Sequence, residues 1–119
     1  TNPEQLEMVD RDRSLIPVAM EEGLRYETPL TMVMRTTTRE IELGGKTIPA
    51  GAQIDMCMGS ANRDDTRWKD PNTFDIHRLR QAHIAFAGGI HMCLGMHLAR
   101  LETRVMLNSL FDRVEDLRF

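Results

Sequence analysis

Cys93 stands on a glycine-rich approach, Phe86-Ala87-Gly88-Gly89-Ile90-His91-Met92-Cys93-Leu94-Gly95, just before a run of helical periodicity. From Leu94, the apolar residues Leu98, Leu101 and Val105 recur at steps of four, three and four, the stripe of a helix with one buried face. Unpaired N–H groups and the macrodipole at a helix start favour negative charge, and so favour a thiolate. A thiolate is a nucleophile or a metal ligand. As a nucleophile, Cys93 would take His91 or His97 as its base in a hydrolytic or redox reaction. A histidine two residues from a cysteine is poorly placed to reach its sulfur, and the chain has no Cys-x-x-Cys pair. As a zinc site, His91, Cys93 and His97 would crowd three donors into seven residues, with no fourth nearby.

The elements that must position this loop are legible in order. Asn2 is a good N-cap and Pro3 suits the first helical position, giving a short helix to about Val9 and a charged break at Asp10-Arg11-Asp12-Arg13. Ser14 is expected to cap a second helix, with Leu15, Ile16, Ala19 and Leu24 inward, ending near Tyr26 because Pro29 disfavours helix before it. On that helix Glu22 and Arg25 share a face; taken alone, such a pair is a solvated contact worth about 0–1 kcal/mol. Gly23 between them costs roughly 1 kcal/mol relative to alanine, with close packing as its only evident reason.

From Leu30 the texture turns to strands: 31–38, Ile41-Glu42-Leu43, Thr47-Ile48 and 52–58, punctuated by Gly44-Gly45 and Pro49-Ala50-Gly51. Together they predict one small antiparallel sheet, with Ile54, Met56 and Met58 on one face and Cys57 as a small packing residue. Asn62-Arg63-Asp64 starts a short helical turn, and an irregular segment runs from Trp68, its packing anchor, to about Ala85. So long a structureless stretch calls for a functional reason. The periodic helix after the cysteine ends at Asp112-Arg113, and Asp116-Leu117-Arg118-Phe119 reads as a strand beginning.

The cysteine run resembles that of the cytochrome P-450 family of haem-thiolate monooxygenases, whose pattern is Phe-Gly-x-Gly-x-His/Arg-x-Cys-x-Gly. One departure is visible: Ala87 occupies the first glycine of the pattern. Glu22-Gly23-Leu24-Arg25 resembles the family's Glu-x-x-Arg motif, buried beneath the cysteine loop, and Arg78 in Phe74-Asp75-Ile76-His77-Arg78 matches the arginine that joins it. The resemblance implies a haem b whose iron takes Cys93 as axial thiolate. It implies that Arg35 and His91 hold propionates, that Phe86 lies near the sulfur, and that Gly95 belongs to the binding loop. Glu22, Arg25 and Arg78 would be scaffold. The irregular segment would be the meander on the haem's proximal side. A small organic substrate would receive one oxygen atom of O₂, with electrons from a ferredoxin or a flavin reductase; Arg100 and Arg104, read as exposed, would be docking charges.

The expected fold is mainly α with a small antiparallel β-sheet, an α+β portion ending in the cysteine loop and the helix after it. It forms a single haem-binding unit: helices over 1–28, the sheet over 29–58, a short helix and meander over 59–85, and the loop and helix over 86–114. The 119 residues carry a formal net charge of -3, which offers no basic face for nucleic acid. No apolar run suits a membrane span, and two cysteines make no disulfide framework, so a cytoplasmic protein is expected. The nine methionines suggest flexible core packing. The chain reads as the C-terminal portion of the family, with an N-terminal portion missing and self-association as one consequence. A fragment keeping the fold without chemistry is the main alternative.

Overall fold

In a computed structural model, the described residues are 2–114. Helix α1 (Pro3–Arg11) runs two residues beyond Val9, into the charged segment, where Arg11 pairs with Glu7 one turn earlier. Asn2 contributes its carbonyl to the first turn, not a side-chain cap. Asp12, not Ser14, is the cap of the next turn: its carboxylate accepts the Ser14 N–H at 3.0 Å and opens a 3-10 turn (Arg13–Leu15). Helix α2 (Ile16–Tyr26) follows directly, with Pro17 in its first turn, where a missing N–H costs nothing.

The strands form two separate antiparallel pairs instead of one sheet. Strand β1 (Met32–Thr36) pairs with β4 (Gln53–Cys57), with Arg35 opposite Ile54. Between them β2 (Ile41–Leu43) and β3 (Lys46–Ile48) make a hairpin whose two-residue turn, Gly44-Gly45, has φ of 57° and 73°. Positive φ at both positions is why two glycines serve there. Helix α3 (Met58–Ala61) precedes Asn62, which ends this turn instead of starting one. From Asn62 to Gly88 the chain carries no helix or strand, an irregular stretch longer at both ends than the expected one from Trp68 to about Ala85 and called the meander below. A 3-10 turn (Gly89–His91) and helix α4 (Met96–Phe111) close the fold.

The apolar core is small. Val9, Ile16 and Ile76 are buried, and Leu15, Ala19, Phe74, Leu107 and Phe111 pack on them, so α1, α2, the meander and the C-terminal half of α4 meet there. Gln5 ties the meander to α1 in the manner of a strand neighbour, donating to the Phe74 carbonyl and accepting the Ile76 N–H, both at 2.8 Å.

Three expectations about burial fail. Among the methionines only Met58 is in the core; Met32, Met34, Met56, Met92 and Met106 are exposed. The stripe on α4 is the larger surprise. Leu98, Leu101 and Val105 are more than half exposed, and α4 instead lays Ala99, Arg100, Thr103, Leu107 and Phe111 toward the rest of the chain. The helix is apolar on one side and buried on another. Cys57 is exposed as well, not packed.

Candidate functional site

Two buried charged side chains lie in α2, Glu22 and Arg25. Arg25 is 1% exposed and Glu22 is buried. All five guanidinium N–H bonds of Arg25 have acceptors: Nε and Nη2 donate to the two oxygens of Glu22 at 2.8 Å each, Nη1 to the carbonyls of Asn62 and Pro71 at 2.9 Å, and Nη2 also to Thr73 at 3.2 Å. Glu22 Oε1 accepts in addition the Asp75 N–H at 3.0 Å and Arg78 Nε at 3.2 Å. Arg78 donates onward to the carbonyls of Lys69, Asp70 and Thr73. Burial acts to raise the Glu22 pKa, but the donors from Arg25, Asp75 and Arg78 outweigh it and hold the carboxyl below its ordinary range.

This explains how a segment without helix or strand can be held in place. Backbone carbonyls away from water need donors, and the meander has no ladder to supply them. Two arginines supply them instead. Trp68 adds packing: it is 3% exposed, with the Arg25 guanidinium 5.4 Å from its ring centre.

The sequence offers Asn62 as the start of a helical turn and gives no sign of its actual part. Its side chain donates to Thr28 Oγ1 and accepts the Ile84 N–H, both at 2.8 Å, and it is 1% exposed. Asn62 thus joins the end of α2 to the strand of chain entering the cysteine loop. The one local signal is an asparagine followed by Arg63-Asp64, which fits any turn. Gly23 is not explained by close packing, since a Cβ there meets nothing within 4 Å.

The cysteine loop closes on itself. Cys93 N–H donates to the Phe86 carbonyl at 2.9 Å, Ala87 N–H to Ile84 at 2.8 Å, and Met92 N–H to Gly89 at 3.2 Å. Cys93 lies ahead of α4, not in its first turn: Gly95 is the N-cap and the Cys93 carbonyl accepts the Met96 N–H at 3.3 Å. Its thiol is free and exposed. Around it Ile90 and Leu94 are almost fully exposed, at 96% and 99%. Ala87, at the place of the pattern's first glycine, adopts a φ of 59°, a left-handed conformation.

His91 and His97 are both exposed, and among the described residues neither ring is hydrogen-bonded to the Cys93 sulfur. Among the described residues no three His, Cys, Asp or Glu side chains gather to hold a metal ion. Both findings weigh against the nucleophile and zinc readings. Arg35 lies on β1 and donates to the Met34 carbonyl at 2.9 Å, and is not joined by any described hydrogen bond to the cysteine loop. Arg100 is a correction: it is not on the exposed side of α4 but grips Glu21 on α2 through Nε at 2.5 Å and Nη2 at 2.9 Å. Arg104 remains exposed.

A half-open cavity of about 550 Å³ lies between α2, the meander and α4, bounded by Glu21, Trp68, Arg78, His83, Arg100 and Arg104 among others. Its walls mix the charged scaffold with apolar residues such as Val18, Met20, Ile76 and Leu101, and do not include the cysteine. Among the described residues no helix is long and apolar enough to cross a membrane.

Comparison with known proteins agrees with this geometry. The family model described as Cytochrome P450 matches residues 6–115. Cytochrome p450 CYP199A2 of Rhodopseudomonas palustris is 45% identical over 94% of this chain and 27% of its own length. The vitamin D3 dihydroxylase of Streptomyces griseolus is 47% identical over 98% of this chain and 29% of its own. Among solved structures, CYP109Q5 from Chondromyces apiculatus superposes with a TM-score of 0.93 at 46% identity, covering 97% of this chain and 30% of that one. The chain therefore spans less than a third of the length of these relatives.

Proposed function

The chain belongs to the cytochrome P450 family, and from that premise we propose that it is the haem-thiolate portion of a monooxygenase, with Cys93 as the axial ligand. The observation that carries the reading is the cysteine loop. It closes through the Cys93 N–H and the Phe86 carbonyl, yet leaves the sulfur exposed and flanked by Ile90 and Leu94. A soft sulfur donor beside large apolar side chains fits a flat, mostly apolar macrocycle with a central metal. A Cβ added at Gly88 or Gly89 meets nothing, so the backbone there is open to a close neighbour.

When bound, the haem would supply activation of O₂ with two electrons and two protons, placing one oxygen atom in an organic substrate and the other in water. The chain's own residues hold and orient. The Cys93 thiolate would be the ligand, and the Phe86 ring would lie near its sulfur. His91 and Arg35, both cationic donors when charged, would hold the propionates, and Gly95 would let the chain turn from the loop into α4. Glu22, Arg25 and Arg78 would keep the meander in place beneath the loop. In the whole protein the exposed stripe of α4 would be covered by other parts of the fold. Electrons from a ferredoxin or flavin reductase, a small organic substrate and a cytoplasmic location belong to the same reading. On the same reading this chain, which spans less than a third of the length of the relatives it matches, would not oxygenate substrate by itself, since oxygen activation needs a site that excludes water.

The test is spectroscopic. Titrated with haem, reduced and exposed to CO, the chain should give the absorption of thiolate-ligated iron, and Cys93→Ser should lose it while Cys57→Ser keeps it. Loss with Cys57→Ser and retention with Cys93→Ser would sink the assignment.

A further inference from the structure

Neighbouring residues on a helix point about 100° apart, so Glu21 and Glu22 serve different sides of α2. Glu22 serves the meander. Glu21 faces α4 and the approach to the cysteine loop, and none of the roles above uses it. Its carboxylate receives both donors of the Arg100 fork, at 2.5 and 2.9 Å, and lies 3.0 Å from His83 Nε2. The other ring nitrogen of His83 accepts the Ala85 N–H at 3.2 Å. An acceptor at Nδ1 leaves the proton on Nε2, which then donates to Glu21. The Arg100 guanidinium also lies over the Phe86 ring, 4.8 Å from its centre, and the His83 ring is 6.3 Å from it. Phe86 in turn accepts the Cys93 N–H.

The contacts form one connected path: α2 through Glu21, α4 through Arg100, the loop entry through His83 and Ala85, and the loop itself through Phe86. The His83 side chain is only 5% exposed, while Glu21 and Arg100 are about a third exposed, at 33% and 30%. A bidentate Arg–carboxylate pair fixes direction as well as distance. Arg100 chiefly, with His83 assisting, holds the Glu21 carboxyl below its ordinary range against the opposing effect of burial.

We propose that Glu21, His83 and Arg100 are positioning residues: together they set the angle of the Phe86–Cys93 loop against α4, and so where the Cys93 sulfur is presented. The proposal rests on the reading of Cys93 as ligand for its functional meaning, but the clamp itself does not need haem. Two alternatives to it are plain. The three residues could act only on overall stability, or the loop could be held by its own internal hydrogen bonds.

Amide exchange and thiol alkylation on the haem-free chain, in a Cys57→Ser background, separate them. In Glu21→Gln and Arg100→Ala, exchange at the Ala85 and Cys93 amides should rise about tenfold, the effect of losing one or two ordinary hydrogen bonds. Alkylation of Cys93 should change with it, and amides in β1 and β4 should keep their parent rates. Arg100→Lys, which keeps the charge but not the fork, should fall between parent and Arg100→Ala. Glu21→Gln preserves shape and covers the case in which Arg100→Ala does not fold. Unchanged rates at Ala85 and Cys93, or an equal rise across β1 and β4, would overturn the proposal. Failure of the CO spectrum in the parent would overturn the haem reading alone, because the exchange data are taken without haem.

Discussion

Arg25 and Glu22, one turn apart on α2, share two parallel hydrogen bonds of 2.8 Å in a site where Arg25 is 1% exposed. An ion pair this buried is worth having only if every other donor and acceptor is satisfied. Here the remaining Arg25 donors go to meander carbonyls and to Asn62, so the pair is a junction and not a local bridge.

Arg25→Ala should therefore cost about 3–5 kcal/mol, the order expected when a buried charge loses its partner. In many proteins, replacing both members of a buried pair with apolar residues recovers the loss. In this chain Arg25→Met combined with Glu22→Leu should not recover it, because the carbonyls of Asn62 and Pro71 and the Arg78 Nε donor would still lose partners, and the Thr73 carbonyl would keep only Arg78. Urea unfolding of the single and double variants decides. A double variant as stable as the parent would show that the junction matters less than its geometry implies.

Acid should weaken the fold through the same helix. The Glu21 and Glu22 carboxyls are both held below the ordinary glutamate range in the folded chain, by the donors that face them. An unfolded chain therefore takes up protons first as pH falls, and stability declines from about the ordinary carboxylate range downward. The contribution is complete well above that range and is lost as pH falls through the lowered folded-state values. The urea midpoint should be flat from pH 8 to about 6 and drop below about 5. Glu21→Gln combined with Glu22→Gln, if it folds, should shrink that drop.

Helices α1, α2 and α4 and the Gly44-Gly45 turn are legible in the sequence, because periodicity and turn chemistry are local; the four-residue α3 is not, since its place reads as the end of a strand. The Glu22, Arg25 and Arg78 set was legible only as a motif, since nothing local distinguishes a buried Glu–Arg pair from a solvated one. The role of Asn62, and the inward turn of Arg100, were not legible. Each depends on what lies across a long loop, and a polar residue carries no mark of its distant partner. The α4 stripe is legible but its exposure is not: the spacing shows that a face is apolar, not what covers it.

That stripe carries a prediction of its own. Leu98, Leu101 and Val105 present adjoining apolar surface on α4, each more than half exposed, with Leu94 fully exposed just before the helix. Contiguous apolar surface of this kind promotes association in water. Sedimentation velocity should show this chain associating as its concentration rises, and Leu98→Glu with Leu101→Glu should shift it toward monomer without altering the helical signal. Identical sedimentation of parent and variant would show that the stripe is tolerated in water.

The final prediction concerns the cysteine loop, where three neighbouring positions separate conformation from contact. Ala87 has a φ of 59° and Gly89 a φ of 63°, while Gly88 is extended at -162°. A left-handed conformation costs a side-chain-bearing residue roughly 1–2 kcal/mol, and a glycine gives back about half of that gain through its looser unfolded state. Ala87→Gly should thus stabilise the chain by about 0.5–1 kcal/mol. Gly89→Ala should destabilise it by about 1 kcal/mol although a Cβ there meets nothing, since the cost is in the backbone. Gly88→Ala, in ordinary extended backbone and equally open space, should be close to neutral or slightly stabilising. Thermal unfolding of the three haem-free variants gives the order. If Gly88→Ala proves as damaging as Gly89→Ala, close contact and not dihedral preference governs the loop, and the left-handed turn at Ala87 is not the strained point of the site.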